Sequence, residues 1–223
     1  WGFIGVLYFK YFSFIGHTEL VIHRCLWTSF MLILTTLYLS KWNIFLKIIS
    51  NKKNLFILFV TSILIFINWS VWIYAVSINR IIDASFGYFI MPILSVLFGF
   101  IFFNERLNPK RIISILLVTI SIFYLLYVYG SVPWVGLIVA FSWGIYNLLR
   151  KTIIVDTDIG LLIESLFILP FALIAFYFIY KSNLNDFTIE NPSLLFLLML
   201  AGPMTVIPLF LYVRGVELTG LGP

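Results

Sequence analysis

One cysteine, Cys25, stands in the whole chain, so no disulfide can close within it and no multi-cysteine metal or CxxC redox site can be built. Histidine is almost as scarce. With two histidines and no HExxH pattern, a zinc site is short of ligands, and without a P-loop run ATP hydrolysis in this chain is not expected. No cofactor is implied. Charge is the largest deficit: Asp, Glu, Lys and Arg make up 10% of the residues, against roughly a quarter in a soluble domain.

Apolar residues fill the space that charge leaves. They amount to 62% of the chain, aromatics alone to 19%, and the mean hydropathy is +1.10. A helix rising about 1.5 Å per residue needs on the order of 20 apolar residues to cross a ~30 Å hydrocarbon layer. Runs of that kind cover residues 20–39, 55–78, 84–103, 112–129, 132–149, 160–180 and 194–213, with a shorter one over 1–16. The connections between them are short and polar, and nothing resembles a soluble domain. Only helices and closed barrels satisfy their backbone groups in lipid, and the runs lack a barrel's alternation. The expected fold is therefore all-α, a polytopic helical bundle in a membrane. The chain opens inside an apolar stretch without an initiator Met and stops at Pro223 without a tail, so it reads as a piece of a longer protein with a further span beyond.

A net charge of +5 and a pI near 9.3 would suggest nucleic acid in a soluble protein, but here the basic residues sit between apolar runs and no nucleic-acid partner is expected. Lys41, Lys47, Lys52, Lys53, Arg106, Lys110, Arg111, Arg150, Lys151 and Arg214 fall on one face of the membrane, ten of the fourteen. Lys10, Arg24, Arg80 and Lys181 remain for the other. The positive-inside rule puts the ten in the cytoplasm of a bacterial cell (inner) membrane and the N-terminus on the same side.

The two ends of the chain echo one another. Trp1-Gly2, then Tyr8-Phe9-Lys10, then Glu19-Leu20 parallels Trp143-Gly144, then Leu149-Arg150-Lys151, then Glu164-Ser165-Leu166. Trp72-Ile73-Tyr74-Ala75-Val76 similarly parallels Phe210-Leu211-Tyr212-Val213. The offset is about 140 residues and encloses five spans, an odd number, so the second unit enters the membrane inverted. Residues 1–129 form the expected first repeat and 130–223 the second. Inverted repeats are the architecture of many secondary transporters, with the substrate near midplane between the halves.

Several of these strings, together with others, carry a resemblance. Trp1-Gly2 through Phe9-Lys10, Glu19-Leu20-Val21-Ile22-His23-Arg24, Asn68-Trp69 with Trp72, Ala84-Ser85-Phe86-Gly87-Tyr88-Phe89-Ile90-Met91-Pro92, Asn104-Glu105-Arg106, and Gly160-Leu161-Leu162-Ile163-Glu164 with Pro170 are similar to the EamA branch of the drug/metabolite transporter (DMT) superfamily. The resemblance covers nearly the whole chain. It implies ten helices in two inverted five-helix repeats, about eight of them here, and a permease that moves a small metabolite or drug-like solute by alternating access. Asp83 stands where the family pattern has Glu, and Asn104 where it has Gly.

Ionisable groups inside a span are costly and count as functional candidates by default. His23 and Arg24 lie in the first turns of the second span with Glu19 one helical turn earlier. On the functional reading Arg24 binds an anionic group of the solute and His23 carries a proton; on the structural one the three form an ion-pair group near the outer interface. Asn68 and Trp72 sit deep in the third span, where an amide needs a partner on another helix or on a ligand. Tyr88 and Pro92 belong to the fourth, where a missing N–H marks either a site or a plain kink. Pro203 and Pro208 interrupt the last run in the same way. Glu164 is either a proton-linked carboxylate or a partner for Arg150 or Lys151. Gly136, Ala140 and Gly144 recur every fourth residue, a smooth stripe for close helix packing.

The expected partners are membrane lipid and a small-molecule substrate, with a homo-oligomer left open. Two rival readings stand beside transport. An intramembrane enzyme would need a nucleophile and base on facing helices, which no motif places. A non-transporting scaffold or channel would show no saturable flux.

Overall fold

The computed structural model describes residues 4–104, 108–130, 132–183, 185 and 192–219. Trp1, Gly2, Glu105 and Arg106, on which part of the resemblance rests, lie outside the described residues. Ten helical segments and no strand occur among them: α1 (Ile4–Tyr11), α2 (His17–Tyr38), α3 (Trp42–Ile49), α4 (Lys52–Ser77), α5 (Ile81–Phe103), α6 (Pro109–Tyr129), α7 (Trp134–Lys151), α8 (Thr157–Lys181), α9 (Pro192–Met199) and α10 (Ala201–Thr219). Local chemistry fixes several ends. The Asn51 side chain accepts from the N–H groups of Lys53 and Asn54 at 3.1 and 3.2 Å to start α4. Asn108 does the same for Lys110, with Pro109 beginning α6 where its missing N–H is harmless. Gly130, at φ 69°, ends α6 in a left-handed conformation that suits glycine.

Among the described residues, five segments are long and apolar enough to cross a membrane: His17–Tyr38, Lys52–Ser77, Ile81–Phe103, Thr157–Lys181 and Pro192–Gly215. The protein is an all-α membrane protein. Seven full runs were expected from the sequence, and the difference falls on α6 and α7. Helix α6 is 21 residues long and its described apolar stretch is Ile112–Val128; Ile122 is its one buried apolar residue among those described, so this helix turns nearly all its surface outward. In α7 the hydropathy is diluted by Ser142, Tyr146, Asn147 and Arg150, all of them buried. A helix whose polar side chains are enclosed by protein can be less apolar than one bathed in lipid.

Two further departures from the sequence reading are local. The segment 41–54, which reads from sequence as a plain connection, holds α3, which buries Phe45 and Ile48 and leaves Trp42 and Lys47 exposed. Eight residues cannot span a bilayer, and this amphipathic pattern suits a helix lying along its face. In the last run the helix breaks at Leu200 rather than at Pro203. Pro203 sits in the first turn of α10, where its lost N–H had no helical partner anyway, and Pro208 alone is inside that helix.

Helix α7 is the pivot of the packing. It lies against α4, α5 and α10, while α2 lies against α8, α10 and α4. The α5–α7 approach is close because glycine faces glycine: a Cβ on Gly87 would come within 2.6 Å of the Gly136 carbonyl oxygen. Along the same face Ala140 is fully enclosed and Gly144 meets Leu94 and Phe98. Without hydrophobic force between helices in lipid, such small-residue contact is what lets dispersion hold them together.

Candidate functional site

Arg24 is 1% exposed although it lies seven residues into an apolar helix. Its Nε donates to Thr205 Oγ1 on α10 at 3.0 Å. Its guanidinium carbon lies 4.4 Å from the centre of the Trp69 ring and 5.3 Å from that of Phe9. Ring faces carry negative charge density, so this seat offsets part of the desolvation of a buried cation. One turn back, Glu19 Oε1 lies 3.8 Å from His23 Nε2, and the imidazole meets the Phe176 ring edge-on.

A cavity of about 200 Å³ opens beside Arg24. Its walls are Asn68, Trp69 and Trp72 from α4, Tyr88 and Met91 from α5, Trp143 from α7, and Thr205, Pro208, Leu209 and Tyr212 from α10. The Asn68 amide nitrogen donates to the Val139 carbonyl and to Ser142 Oγ, both at 3.1 Å, which fixes α4 on α7 and leaves its oxygen as acceptor. Asn147 Nδ2 of α7 donates to the hydroxyl of Tyr212, a lining residue on α10, at 2.8 Å. Trp72 is held edge-on by Phe9, and Trp143 stacks on Tyr146. Among the described lining residues the cavity carries one cation, several aromatic faces and no carboxylate.

A second polar cluster lies deeper along α8. Glu164 is 2% exposed. It accepts from Thr61 Oγ1 at 2.7 Å and from the Tyr146 hydroxyl at 3.1 Å, and its Oε1 lies 3.7 Å from Arg150 Nε. Gly160 makes room for that guanidinium, since a Cβ there would collide with it. Beyond this cluster Lys41, just after α2, donates to Asp158 Oδ2 at 2.6 Å and lies 3.7 Å from Asp156. The Asp158 hydrogen bond, reinforced by the two carboxylates, holds the Lys41 ammonium's pKa above the ordinary lysine value.

Of the residues singled out in the sequence, Arg24, Asn68, Trp72 and Tyr88 come together around the cavity. His23 and Pro92 are not among its described walls. His23 is buried toward Phe176 and Pro92 is exposed on the outer side of α5. Glu19 and Glu164 lie in separate places, one beside His23 and the other beside Arg150, while Lys151 sits over the Phe103 ring at 4.6 Å. The sequence alone does not mark Thr205, Trp143 and Tyr212 as cavity walls, nor Thr61 and Tyr146 as partners of Glu164. Polar side chains inside apolar runs were the available signal. Among the described residues no group of three or more His, Cys, Asp or Glu could hold a metal.

Comparison with known proteins gives a consistent result. The profile of the EamA-like transporter family matches residues 1–127. An uncharacterized transporter of Vibrio cholerae is 36% identical over 95% of this chain and 70% of its own length. The uncharacterized transporter YojE of Bacillus subtilis is 34% identical over 97% and 73%, and protein RarD of Escherichia coli is 32% identical over 95% and 71%. No solved structure matches.

Proposed function

The chain belongs to the EamA-like transporter family, and from that premise we propose that it moves a small organic solute across the bacterial cytoplasmic membrane by alternating access, holding the solute beside Arg24. The observation that carries this reading is the make-up of the cavity wall. It draws on α2, α4 and α5 from the first half of the chain and on α7 and α10 from the second, the arrangement expected of a solute site between two repeats.

The same reading takes residues 1–129 and 130–223 as inverted repeats. Two contacts support it. Arg24 on α2 meets Thr205 on α10, and Glu164 on α8 meets Thr61 on α4. Glu164 follows Arg24 by 140 residues and Thr205 follows Thr61 by 144, so exchanging the halves turns one contact into the other to within a helical turn. Two such ties between the halves, related by the exchange, suit a carrier whose halves swap conformations. Helices α2 and α8 lie against each other between the two ties. The ties that join α8 to α4, α7 and Lys41 would close the path on the lysine-rich side.

That side is proposed to be cytoplasmic. A reporter inserted beside Lys52 is expected to be active only inside the cell, and one in the turn at Gly130 only outside; the reverse pattern would overturn the orientation.

Transport itself is tested by counterflow. Vesicles containing the purified protein and loaded with a bacterial metabolite extract are expected to exchange at least one solute, saturably and chemically unchanged. Replacing Met91 with tryptophan, which fills the cavity, is expected to stop the exchange. A solute released in altered form would favour an intramembrane enzyme, and the absence of any saturable exchange a scaffold. The relatives' names as transporters favour transport over both.

A further inference from the structure

We infer that the solute is a compact organic monoanion, a carboxylate on a single aromatic ring or an apolar body of similar size, and not a cation, a zwitterion or a large multi-ring compound. This rests on the reading above that the cavity beside Arg24 is the solute's site. Three features of the cavity point to it.

Size comes first. A dry cavity of about 150 Å³ accommodates benzene, whereas sites for drug-sized ligands run from about 300 to 1,000 Å³. At about 200 Å³ this one fits a ring and one small polar group. A nucleotide or a fused-ring drug is too large for it.

Charge comes second. Arg24 is the one ionised side chain among the described lining residues, and none of those described is acidic. A guanidinium presents paired N–H donors matched to a carboxylate. Thr205 holds Nε and Trp69 holds the plane from one face, so the group is ordered before any solute arrives. A solute cation would be repelled by it in a site of low dielectric. A zwitterion would satisfy Arg24 with its carboxylate, but its ammonium would find no counter-charge on the described walls.

The third feature is the remainder of the wall. Trp69, Trp72, Trp143, Tyr88 and Tyr212 surround the space, and aromatic walls pack best on a flat apolar body. Asn68 has given both amide hydrogens to α7, so what it offers a solute is an acceptor. It cannot serve as a second anion-binding donor. Among the described walls there is therefore one cation to meet a negative charge, and a dianion would leave its second charge without a described donor of that strength.

The probes are benzoate, its neutral isostere benzamide, the cation benzylamine and the zwitterion phenylalanine. Binding to the purified protein is followed by tryptophan fluorescence, since three tryptophans line the cavity. Benzoate is expected to bind saturably and at least about 10-fold more tightly than each of the others. Arg24→Gln is expected to weaken benzoate by about 100-fold, as for truncating a buried charged partner, while leaving benzamide nearly unchanged; Arg24→Lys should keep the order of preference. Equal or tighter binding of benzylamine or phenylalanine to the unmodified protein would overturn the assignment, and that arm needs no variant to fold. So would an Arg24→Gln protein that melts normally and still prefers benzoate to benzamide. Counterflow separates the two claims. If benzoate binds as expected but is never exchanged, the transport reading fails and the charge preference of the site stands; if other solutes exchange while benzoate neither binds nor competes, the solute class fails and transport stands.

Discussion

Glu164→Ala is expected to lower the stability of the folded protein by about 3–5 kcal/mol, the range for removing one partner of a buried ion pair. Two helices converge on this carboxylate of α8: Thr61 from α4 and Tyr146 from α7 donate to it, and Arg150 of α7 lies 3.7 Å away. All four side chains are buried. Alanine removes the acceptor for two hydroxyls and the charge beside Arg150 at once. Glu164→Gln should lose less, because its carbonyl still accepts and only the charge is gone. The double replacement Glu164→Leu with Arg150→Met should recover much of the loss, since a well-packed apolar pair is often as stable as a buried ionic one. Thermal unfolding in detergent, read by tryptophan fluorescence, checks the series. A Glu164→Ala protein melting like the parent would show that the cluster does not hold α4, α7 and α8 together.

The helical architecture is legible because lipid imposes it: residues 84–103 and 160–180 fall within α5 and α8, and 20–39 and 55–78 overrun α2 and α4 by a single residue each. The reading was weakest where protein, and not lipid, surrounds the chain. Helix α7 shows this best, since Ser142, Tyr146, Asn147 and Arg150 make it look marginal as a span while in the bundle each faces a neighbouring helix. The short amphipathic α3 is hidden for a related reason, as Lys47 and the lysines flanking the helix read as a loop when only Phe45 and Ile48 turn inward. At the site the sequence exposed the expensive members, Arg24 and Glu164, because charge within an apolar run stands out. It could not supply their partners. Thr61 and Thr205 are modest polar residues, 103 and 181 positions from the groups they serve, and only the packing of α4 on α8 and α10 on α2 brings them together.

Gly136→Ala is expected to destabilise the protein by about 3 kcal/mol or more, at the upper end of what overpacking does, although it adds one methyl group. The reason lies in what that group would strike. A Cβ at Gly136 would run into the Asp83 carbonyl oxygen and approach the Gly87 nitrogen and the Phe86 Cβ, each at 2.9 Å. These are backbone atoms or atoms fixed to it, and no side-chain rotation relieves them; α5 would have to withdraw along its length. That would loosen the helix carrying Tyr88 and Met91, so solute binding should weaken along with stability. Other glycines set the scale. At Gly144 the nearest atom is the edge of the Phe98 ring at 3.2 Å, which can shift by a few tenths of an ångström, and Gly144→Ala should cost about 1 kcal/mol or less. At Gly215 no described atom lies within 4 Å of the added Cβ, so alanine there should be neutral or slightly stabilising through its better helix propensity. Melting temperatures in detergent should therefore fall steeply for Gly136→Ala, slightly for Gly144→Ala and not at all for Gly215→Ala. If the three variants melt together, α5 and α7 are not in the close contact on which this wall of the cavity depends.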